Sequence, residues 1–168
     1  AMRVLGLDPG LATLGYGLVD GDGVNLSLAA YGAICTPSQD NTAERLVRLR
    51  RELSAVIAEH KPDVAAVEKL YFSKNARTAL AVGEARGVVM LTLAEAELEI
   101  AEYTPLQVKQ AITGFGRAEK AQVQQMVRIL LNLKEVPWPD DAADALAVAI
   151  CHQQSARMAS LTKGAHEA

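Results

Sequence analysis

The sequence predicts an α/β fold in which a five-stranded mixed sheet carries helices on both faces. The chain opens with three strand-like segments joined by tight turns, which favours antiparallel pairing. Helical and apolar segments then alternate, as they do in β–α–β units. The length of 168 residues, half of them hydrophobic, suits one domain with a sizeable core.

The first three segments form a hairpin-linked unit. Residues 3–8 are an apolar strand, and Pro9-Gly10 marks the turn that follows it. Residues 15–19 form a second strand, and the sequence Asp20-Gly21-Asp22-Gly23 is a hairpin turn signal. Residues 24–35 then form a third, antiparallel strand.

The middle of the chain alternates helices with strands. Asn41 and Glu44 resemble a capping box, and apolar residues recur behind them at helical spacing. Residues 64–68 form a continuous apolar strand, as expected in the centre of a sheet. Residues 75 to about 96 form an Ala-rich helix, and residues 98–103 form the fifth strand.

The last third of the chain is mainly helical. Thr104-Pro105 is a cap followed by proline at the first helical position, and the short helix behind it ends before the loop Gly114-Phe115-Gly116. Residues 119–132 form another helix. After a proline-containing loop the final helix covers residues 141 to about 155. We expect one domain over residues 1–158 and a flexible tail at 159–168.

Composition limits the class of protein. The net charge of −3 and the pI of about 5.6 argue against a surface coated for nucleic acid, so nucleic-acid binding must depend on local basic clusters. Cys35 and Cys151 lack the spacing of a disulfide framework or a metal site, which indicates reduced thiols in a cytoplasmic protein. No segment resembles a signal peptide and no apolar run has transmembrane length, so we expect no membrane association.

Four acidic residues lie where a metal-dependent nuclease needs them. Asp8 ends the first strand and Glu68 ends the fourth, and neighbouring strands lie roughly 5 Å apart. If these two strands are parallel neighbours, both carboxylates lie at the sheet edge where ligands bind in open α/β folds. Asp141 and Asp144 are three residues apart and therefore share one face of the last helix.

Each acid also has a purely structural interpretation. Asp8 could bond its own backbone in the Asp-Pro-Gly turn, and Glu68 could end its strand in a salt bridge. Asp140 or Asp141 could cap the last helix. One cap does not explain Asp144 as well. Because buried carboxylates are unfavourable without positive charge, the four together favour a cation site.

The expected cations are Mg²⁺ or Mn²⁺, since carboxylate oxygens suit these hard ions. Phosphodiester hydrolysis needs an activated water and a stabilised leaving oxygen, and two ions about 4 Å apart supply both. We therefore expect two ions in the site. Asp8, on the central strand, is expected to bridge them, with Glu68 serving one ion and Asp141 and Asp144 the other; the sequence leaves the exact division of the ligands open.

Basic residues form two groups near these acids. The first contains Lys69, Lys74, Arg77 and Arg86, and the second contains Lys109, Arg117, Lys120 and Arg128. We predict that Lys74, Lys109 and Lys120 contact phosphate, and that Arg77 belongs to the same DNA-binding surface. The alternative for all of them is an ordinary solvated face.

Two aromatic residues and two glycines indicate further contacts, the aromatic residues with DNA and the glycines within the chain or with a second subunit. Tyr71 and Phe72 follow the fourth strand, where one ring could stack on an unpaired base and the other could pack inward. Gly83 and Gly87 lie four apart on the Ala-rich helix. Their spacing indicates close packing, either within the chain or against a second subunit.

Several motifs make the chain resemble the RuvC Holliday junction resolvases of bacteria over roughly residues 2–155. The motifs are Leu5-Gly6-Leu7-Asp8-Pro9-Gly10 with Gly15-Tyr16-Gly17, Val67-Glu68 with Lys74-Asn75-Ala76, Gly83-Glu84-Ala85-Arg86-Gly87, Val108-Lys109-Gln110 with Ala118-Glu119-Lys120-Ala121-Gln122-Val123, and Asp141-Ala142-Ala143-Asp144-Ala145-Leu146-Ala147. The resemblance implies a ribonuclease H-like fold, a homodimer, and symmetric Mg²⁺- or Mn²⁺-dependent nicking of four-way DNA junctions. It also implies cooperation with the branch-migration proteins RuvA and RuvB.

By the same resemblance, the four acids are catalytic metal ligands, and Lys109 and Lys120 assist at the DNA phosphates. The chain departs from the family pattern at Tyr71, where the family has a phenylalanine that stacks on a junction base. Tyrosine can stack equally well, but Phe72 is adjacent, so the sequence leaves open which ring does so.

Three other classes of function remain at this stage. An actin-like or sugar-kinase ATPase shares the opening strand, Asp-Gly turn and hairpin, although such enzymes need two lobes. A non-catalytic junction-binding protein would share the fold without needing all four acids. An RNA-processing nuclease of the same fold is the nearest alternative.

Overall fold

The computed structural model describes residues 1–69 and 75–167. These residues form a sheet of strands β1 (Met2–Asp8), β2 (Thr13–Gly21), β3 (Leu26–Cys35), β4 (Val64–Glu68) and β5 (Glu99–Tyr103). The strand order is β3-β2-β1-β4-β5, with β2 antiparallel to both its neighbours and with β1, β4 and β5 parallel. The predicted five-stranded mixed sheet is confirmed.

The helices of the described residues are α1 (Thr42–His60), α2 (Ala76–Glu95), α3 (Pro105–Thr113), α4 (Lys120–Leu130) and α5 (Asp140–Glu167). Helices α1 and α2 cover one face of the sheet, and α3, α4 and α5 cover the other. Two predicted caps are confirmed: the Asn41 side chain accepts from the Glu44 N–H, and Thr104 forms a capping box with Gln107.

Strand residues alternate between the two faces and so decide where the terminal acids point. On β1, Val4 packs in the core beneath α3–α5, and Leu5 packs beneath α1 and α2. On β4, Val64 belongs to the same core as Val4. Asp8 and Glu68 each lie four residues further along, so both point to the face covered by α5.

Helix α5 lies directly against the sheet because glycines leave room for it. A side chain at Gly6 would overlap the carbonyl oxygen of Ala145, and one at Gly15 would overlap that of Asp141. Gly15 is the residue paired with Asp8 across the β1–β2 ladder. The glycine opposite Asp8 therefore lets the first turn of α5 approach the end of β1.

The β2–β3 turn lies later than the sequence predicts. Strand β2 continues through Gly21, with Asp20 still paired in the ladder and bonded to Arg3 at 2.7 Å. The chain reverses at Asp22, whose side-chain oxygen accepts from the backbone N–H groups of the next turn residues at 2.8–2.9 Å. The arginine–aspartate contact, invisible in the local pattern, extends the strand.

The final helix is longer than the sequence predicts. The expected end near residue 155 is wrong, because α5 continues to Glu167. Residues 159–167 are helical and exposed, and their flexibility stays a prediction. Across residues 1–69 and 75–167, every helix lacks the combination of length and apolar character needed to cross a membrane.

Candidate metal centre

Three elements deliver the four predicted acids to one place. Strands β1 and β4 run parallel and in register from Val4–Val64 to Leu7–Val67, so Asp8 and Glu68 follow the last paired residues. Helix α5 begins where the Pro139 carbonyl accepts from the Ala142 and Ala143 N–H groups at 2.9 and 3.2 Å. Asp141 and Asp144 lie in the first turns of that helix.

One carboxylate oxygen from each of Asp8, Asp141 and Asp144 lies within 4.8 Å of the other two, a spacing that could hold a metal ion. Glu68 lies beside this group, since its side chain hydrogen-bonds with Asp8 and is repelled by Asp144. The structure thus brings together all four acids that the sequence singled out. Asp140, the fifth acid of this region, turns instead to Gln124 and Lys120, at 3.2 and 3.5 Å.

The site disfavours the ionised forms of its own carboxylates. Burial raises the pKa of Asp8 to about 8, and repulsion by Glu68, Asp144 and Asp141 adds to the effect. Burial also raises the pKa of Glu68 to about 7, with repulsion by Asp144 adding to it. The pKa of Asp144 is raised by burial, although Lys120 opposes the shift.

This electrostatic imbalance fits a site for divalent cations. The donors are all carboxylate oxygens, which suit Mg²⁺ or Mn²⁺. Lys109 and Lys120 lower the pKa of Glu68 and so favour its ionised form, but they leave it raised. The described part of the chain therefore does not supply enough positive charge to hold four ionised carboxylates together.

Two predicted phosphate-binding lysines border the centre. Lys109 and Lys120 line a cavity of about 250 Å³ together with Glu68 and Asp144. The Lys120 ammonium lies 3.4 Å from Asp144. Burial lowers the pKa of Lys120, but attraction to Asp144 and Asp140 outweighs burial and leaves that pKa raised. Lys120 is therefore cationic beside the carboxylates.

Arg86, which the sequence placed only in a general basic group, contacts the strand end that carries Glu68. Its guanidinium donates to the backbone carbonyl of Glu68 at 2.8 Å and to the Glu102 carboxylate at 2.8 Å. The side chain is 22% exposed. Arg86 therefore braces the strand end that carries Glu68. No sequence spacing could reveal a contact that joins α2, β4 and β5.

The remaining predicted DNA-binding residues divide into two sets. Arg77 lies exposed in the first turn of α2. Tyr71, Phe72 and Lys74 lie outside the described residues, so their predicted roles stay predictions.

Comparisons with known proteins agree over nearly the whole chain. The family model "Crossover junction endodeoxyribonuclease RuvC" matches residues 4–152. A protein of that name from Alkaliphilus oremlandii is 54% identical over 162 residues, covering 96% of this chain and 99% of the relative. Another from Heliobacterium modesticaldum is 57% identical over 150 residues, covering 89% and 93%.

Solved structures show the same similarity. Thermus thermophilus RuvC in complex with a Holliday junction substrate superposes with a TM-score of 0.90 at 39% identity, covering 95% of this chain and 97% of that one. The yeast mitochondrial Holliday junction resolvase gives a TM-score of 0.69 at 13% identity, which shows a shared fold. The architecture is the ribonuclease H-like α/β fold.

Proposed function

The chain belongs to the RuvC family of crossover junction endodeoxyribonucleases, and we propose that it resolves Holliday junctions in DNA recombination and repair by nicking two strands. The observation that carries the proposal is the convergence of Asp8, Asp141 and Asp144 within 4.8 Å at the carboxyl end of the central strand. The fold around this cluster is shared with a RuvC bound to junction DNA.

We propose that Asp8, Glu68, Asp141 and Asp144 hold two Mg²⁺ or Mn²⁺ ions. Asp8 lies at the centre of the group, between Glu68 on one strand and the two α5 residues, which suits a bridging ligand. Glu68 would hold one ion, and Asp141 and Asp144 the other. When bound, such ions supply an activated water and stabilise the leaving oxygen.

Lys109 and Lys120 are proposed to bind DNA phosphate beside the cut. Both line the cavity that contains Glu68 and Asp144, so a phosphate in that cavity lies next to the carboxylates. The Lys120–Asp144 pair also limits the movement of Asp144. Removing either lysine should weaken cleavage and flatten the salt dependence of junction binding.

Tyr71, Phe72, Lys74 and Arg77 are proposed to contact the DNA beyond the cut. The first three follow Lys69 in the sequence, and Arg77 lies in the first turn of α2. One of the two rings would stack on an unpaired base, an interaction worth roughly 1–3 kcal/mol. Comparing Tyr71→Ala with Phe72→Ala in junction cleavage identifies which ring stacks.

A homodimer is the proposed functional unit. Leu80 and Leu91 on α2 are 65% and 54% exposed, and Gly83 and Gly87 lie between them at helical spacing. A Cβ at either glycine would meet nothing within 4 Å. Apart from Glu84, this face of α2 is therefore apolar and open, and it can approach another helix closely. A two-fold dimer would present two metal centres to a junction that can itself be two-fold.

The family relationship supports two further proposals. We propose that the protein acts in the cytoplasm, and that it receives junctions from the branch-migration proteins RuvA and RuvB. Co-sedimentation of purified RuvA, RuvB and this chain on one junction would test the second proposal. If the RuvA–RuvB pair and this chain are each active on the junction alone but do not co-sediment on it, the second proposal is contradicted.

One substrate panel tests the proposed activity. The protein is offered a four-way DNA junction, a linear duplex, structured RNA and ATP, each with and without Mg²⁺ or Mn²⁺. We expect metal-dependent nicking of the junction and little action on the other three. Preferential RNA cleavage would indicate an RNA-processing nuclease, ATP hydrolysis would indicate an ATPase, and junction binding without cleavage would indicate a non-catalytic role.

A further inference from the structure

A second cavity borders the metal centre away from the lysines. It measures about 490 Å³, and its lining includes Thr13, Arg45, Arg77, Thr78 and Asp141. It is formed by the turn between β1 and β2, by α1 and α2, and by Asp141 in the first turn of α5. We call it the arginine cavity; the cavity that contains Lys109 and Lys120, the lysine cavity, is formed by the end of β4 and by α3, α4 and α5. Asp141 lines the arginine cavity and Asp144 lines the lysine cavity, so the carboxylate cluster lies between the two.

The two arginines of this cavity are not neutralised by the described chain. Within residues 1–69 and 75–167, neither Arg45 nor Arg77 forms an ion pair, whereas Arg3, Arg50 and Arg86 each bind a carboxylate at 2.6–2.8 Å. The chain has an overall charge of −3, so positive charge without a carboxylate partner beside a nuclease centre indicates an anionic ligand.

Arg45 is also held in place by neutral groups. Its Nε donates to the Thr36 hydroxyl at 2.9 Å, and that hydroxyl donates to the Leu11 carbonyl at 2.5 Å. The chain of bonds fixes the guanidinium beside the turn that follows Asp8. A guanidinium fixed in this way loses little freedom when it binds a phosphate, and its planar fork matches phosphate oxygens.

We propose that Arg45 and Arg77 form a phosphate subsite for the strand being cut, on the opposite side of the scissile phosphate from Lys109 and Lys120. The inference rests on the proposed junction-cutting function. A strand that crosses the carboxylates passes from one cavity to the other, so each cavity receives phosphates from one side of the cut. The hydroxyls of Thr13 and Thr78 supply further hydrogen-bonding groups in the arginine cavity.

The test pairs protein variants with single neutral phosphates. The cut site is first mapped with the wild-type protein and Mg²⁺, and a failure to cut at this step would contradict the proposed function, not the subsite. Junctions are then made with one methylphosphonate at each of three positions on either side of the cut. Junction affinity is measured without divalent ions for the wild type, Arg45→Gln, Arg77→Gln, Lys109→Gln and Lys120→Gln.

Each arginine variant should bind the unmodified junction roughly 3- to 10-fold more weakly and should reduce the salt slope by about 1. A methylphosphonate on one side of the cut should abolish the effect of the arginine variants, and one on the other side should abolish that of the lysine variants. Arg51→Gln, also on α1, exposed and without an ion pair among the described residues, is the control and should change neither quantity.

Two results would overturn the subsite. In the first, the same methylphosphonates abolish the effects of both the arginine and the lysine variants on affinity. In the second, no methylphosphonate abolishes the effect of the arginine variants. A lower Tm for Arg45→Gln with an equal loss of affinity for every modified junction would show that Arg45 only braces the Thr36–Leu11 contact.

Discussion

At the residue scale, the carboxylates of the metal centre are held close together by strands and a helix that are stable for other reasons. Asp8 and Glu68 end strands whose preceding residues are fully buried, and Asp144 is supported by Lys120 at 3.4 Å. Packing of the core fixes the positions of the acids. Because these positions are close together, the carboxylates repel one another. This repulsion makes the folded state sensitive to pH and to metal.

The metal-free protein should lose stability as the pH rises. An aspartate or glutamate in an unfolded chain has a pKa of about 4, whereas the folded-state pKa is about 8 for Asp8 and about 7 for Glu68. Between about pH 4 and pH 8 the folded state holds more protons, so the free energy of unfolding falls across that window and levels off above it. Thermal unfolding in EDTA at a series of pH values measures this effect.

Divalent ions should restore the stability that is lost at high pH, because they favour the ionised carboxylates. Mn²⁺ should therefore raise the Tm more at pH 8.5 than at pH 5.5. Asp8→Asn should flatten the pH dependence and reduce the Mn²⁺ effect. A Tm that rises with pH in EDTA, or that responds to Mn²⁺ equally in the variant, would contradict the assigned electrostatics.

Arg86 should act through the position of Glu68. Arg86→Ala removes the donor to the Glu68 carbonyl, so we expect kcat for junction cleavage to fall about tenfold while junction affinity stays near the wild-type value. The Mn²⁺ concentration for half-maximal activity should rise. Arg86→Lys, which keeps the charge but loses the fork that reaches both Glu68 and Glu102, should be intermediate.

Arg50→Ala is the matched control for Arg86. Arg50 also binds a glutamate, Glu95, at 2.6 Å, but on the exposed surface. Its loss should change neither kcat nor the metal requirement. If Arg86→Ala weakens junction affinity as much as it lowers kcat, Arg86 contacts phosphate and is not a positioning residue.

The site residues differ in how far sequence alone could predict them. Asp8 and Glu68 were predictable because a carboxylate after a run of apolar strand residues breaks the local pattern, and Asp141 and Asp144 because their spacing places them on one helix face. Arg86 was not, because its partners come from two other elements. A contact of that kind depends on the tertiary arrangement, which local periodicity does not contain.

At the element scale, the metal centre depends on the close approach of α5 to the sheet. The helix packs over Gly6 and Gly15, where a side chain would overlap its backbone carbonyls. Asp141 contributes one of these carbonyls and is also a proposed ligand. The contact that packs α5 against the sheet therefore also positions the Asp141 ligand.

Gly15→Ala should damage both stability and cleavage. The added methyl group displaces the Asp141 backbone, and overpacking of this kind destabilises proteins by about 1–3 kcal/mol. At this chain length the Tm should fall by roughly 2–12 °C. Thermal unfolding and junction cleavage are measured together, with the cleavage assay kept well below the lowered Tm.

Gly164→Ala is the control within α5. A Cβ there meets nothing within 4 Å, so the Tm and cleavage should stay the same or improve slightly. A Gly15→Ala protein with wild-type Tm and wild-type cleavage would show that the helix can shift freely and that its contact with β2 does not set the site.

The elements themselves were largely predictable, with two instructive failures. Capping residues and the continuous apolar strand at Val64–Glu68 gave good boundaries, because these signals are local. The end of α5 was missed because its exposed part, beyond Arg157, keeps helix-forming residues but loses the apolar periodicity that marks burial. The β2 boundary was missed because the Arg3–Asp20 pair holds the strand beyond its turn signal.

At the scale of the whole molecule, the open apolar face of α2 should bring two chains together. We expect sedimentation at micromolar concentration to give about twice the chain mass of 17.9 kDa. Leu80→Glu combined with Leu91→Glu should give a monomer that nicks a cruciform plasmid without linearising it, because paired cuts need two centres on one junction.

Ile129→Glu on α4 is the matched control for the dimer. Ile129 is 54% exposed, like Leu91, but lies on the opposite face of the sheet. This variant should remain dimeric and should linearise the plasmid. A wild-type protein that sediments as a single chain, or a double-glutamate variant that stays dimeric, would contradict the assignment of the interface to α2.

The most direct test of the central claim is to compare junction binding with junction cleavage in Asp8→Asn. The substitution is nearly isosteric, removes one charge from the cluster, and leaves the proposed DNA-binding residues in place. With Mg²⁺ or Mn²⁺, the variant should bind a four-way junction at least as tightly as the wild type and should produce no nicks. Residual metal-dependent nicking by the folded variant, or loss of junction binding together with cleavage, would contradict a metal centre built on Asp8.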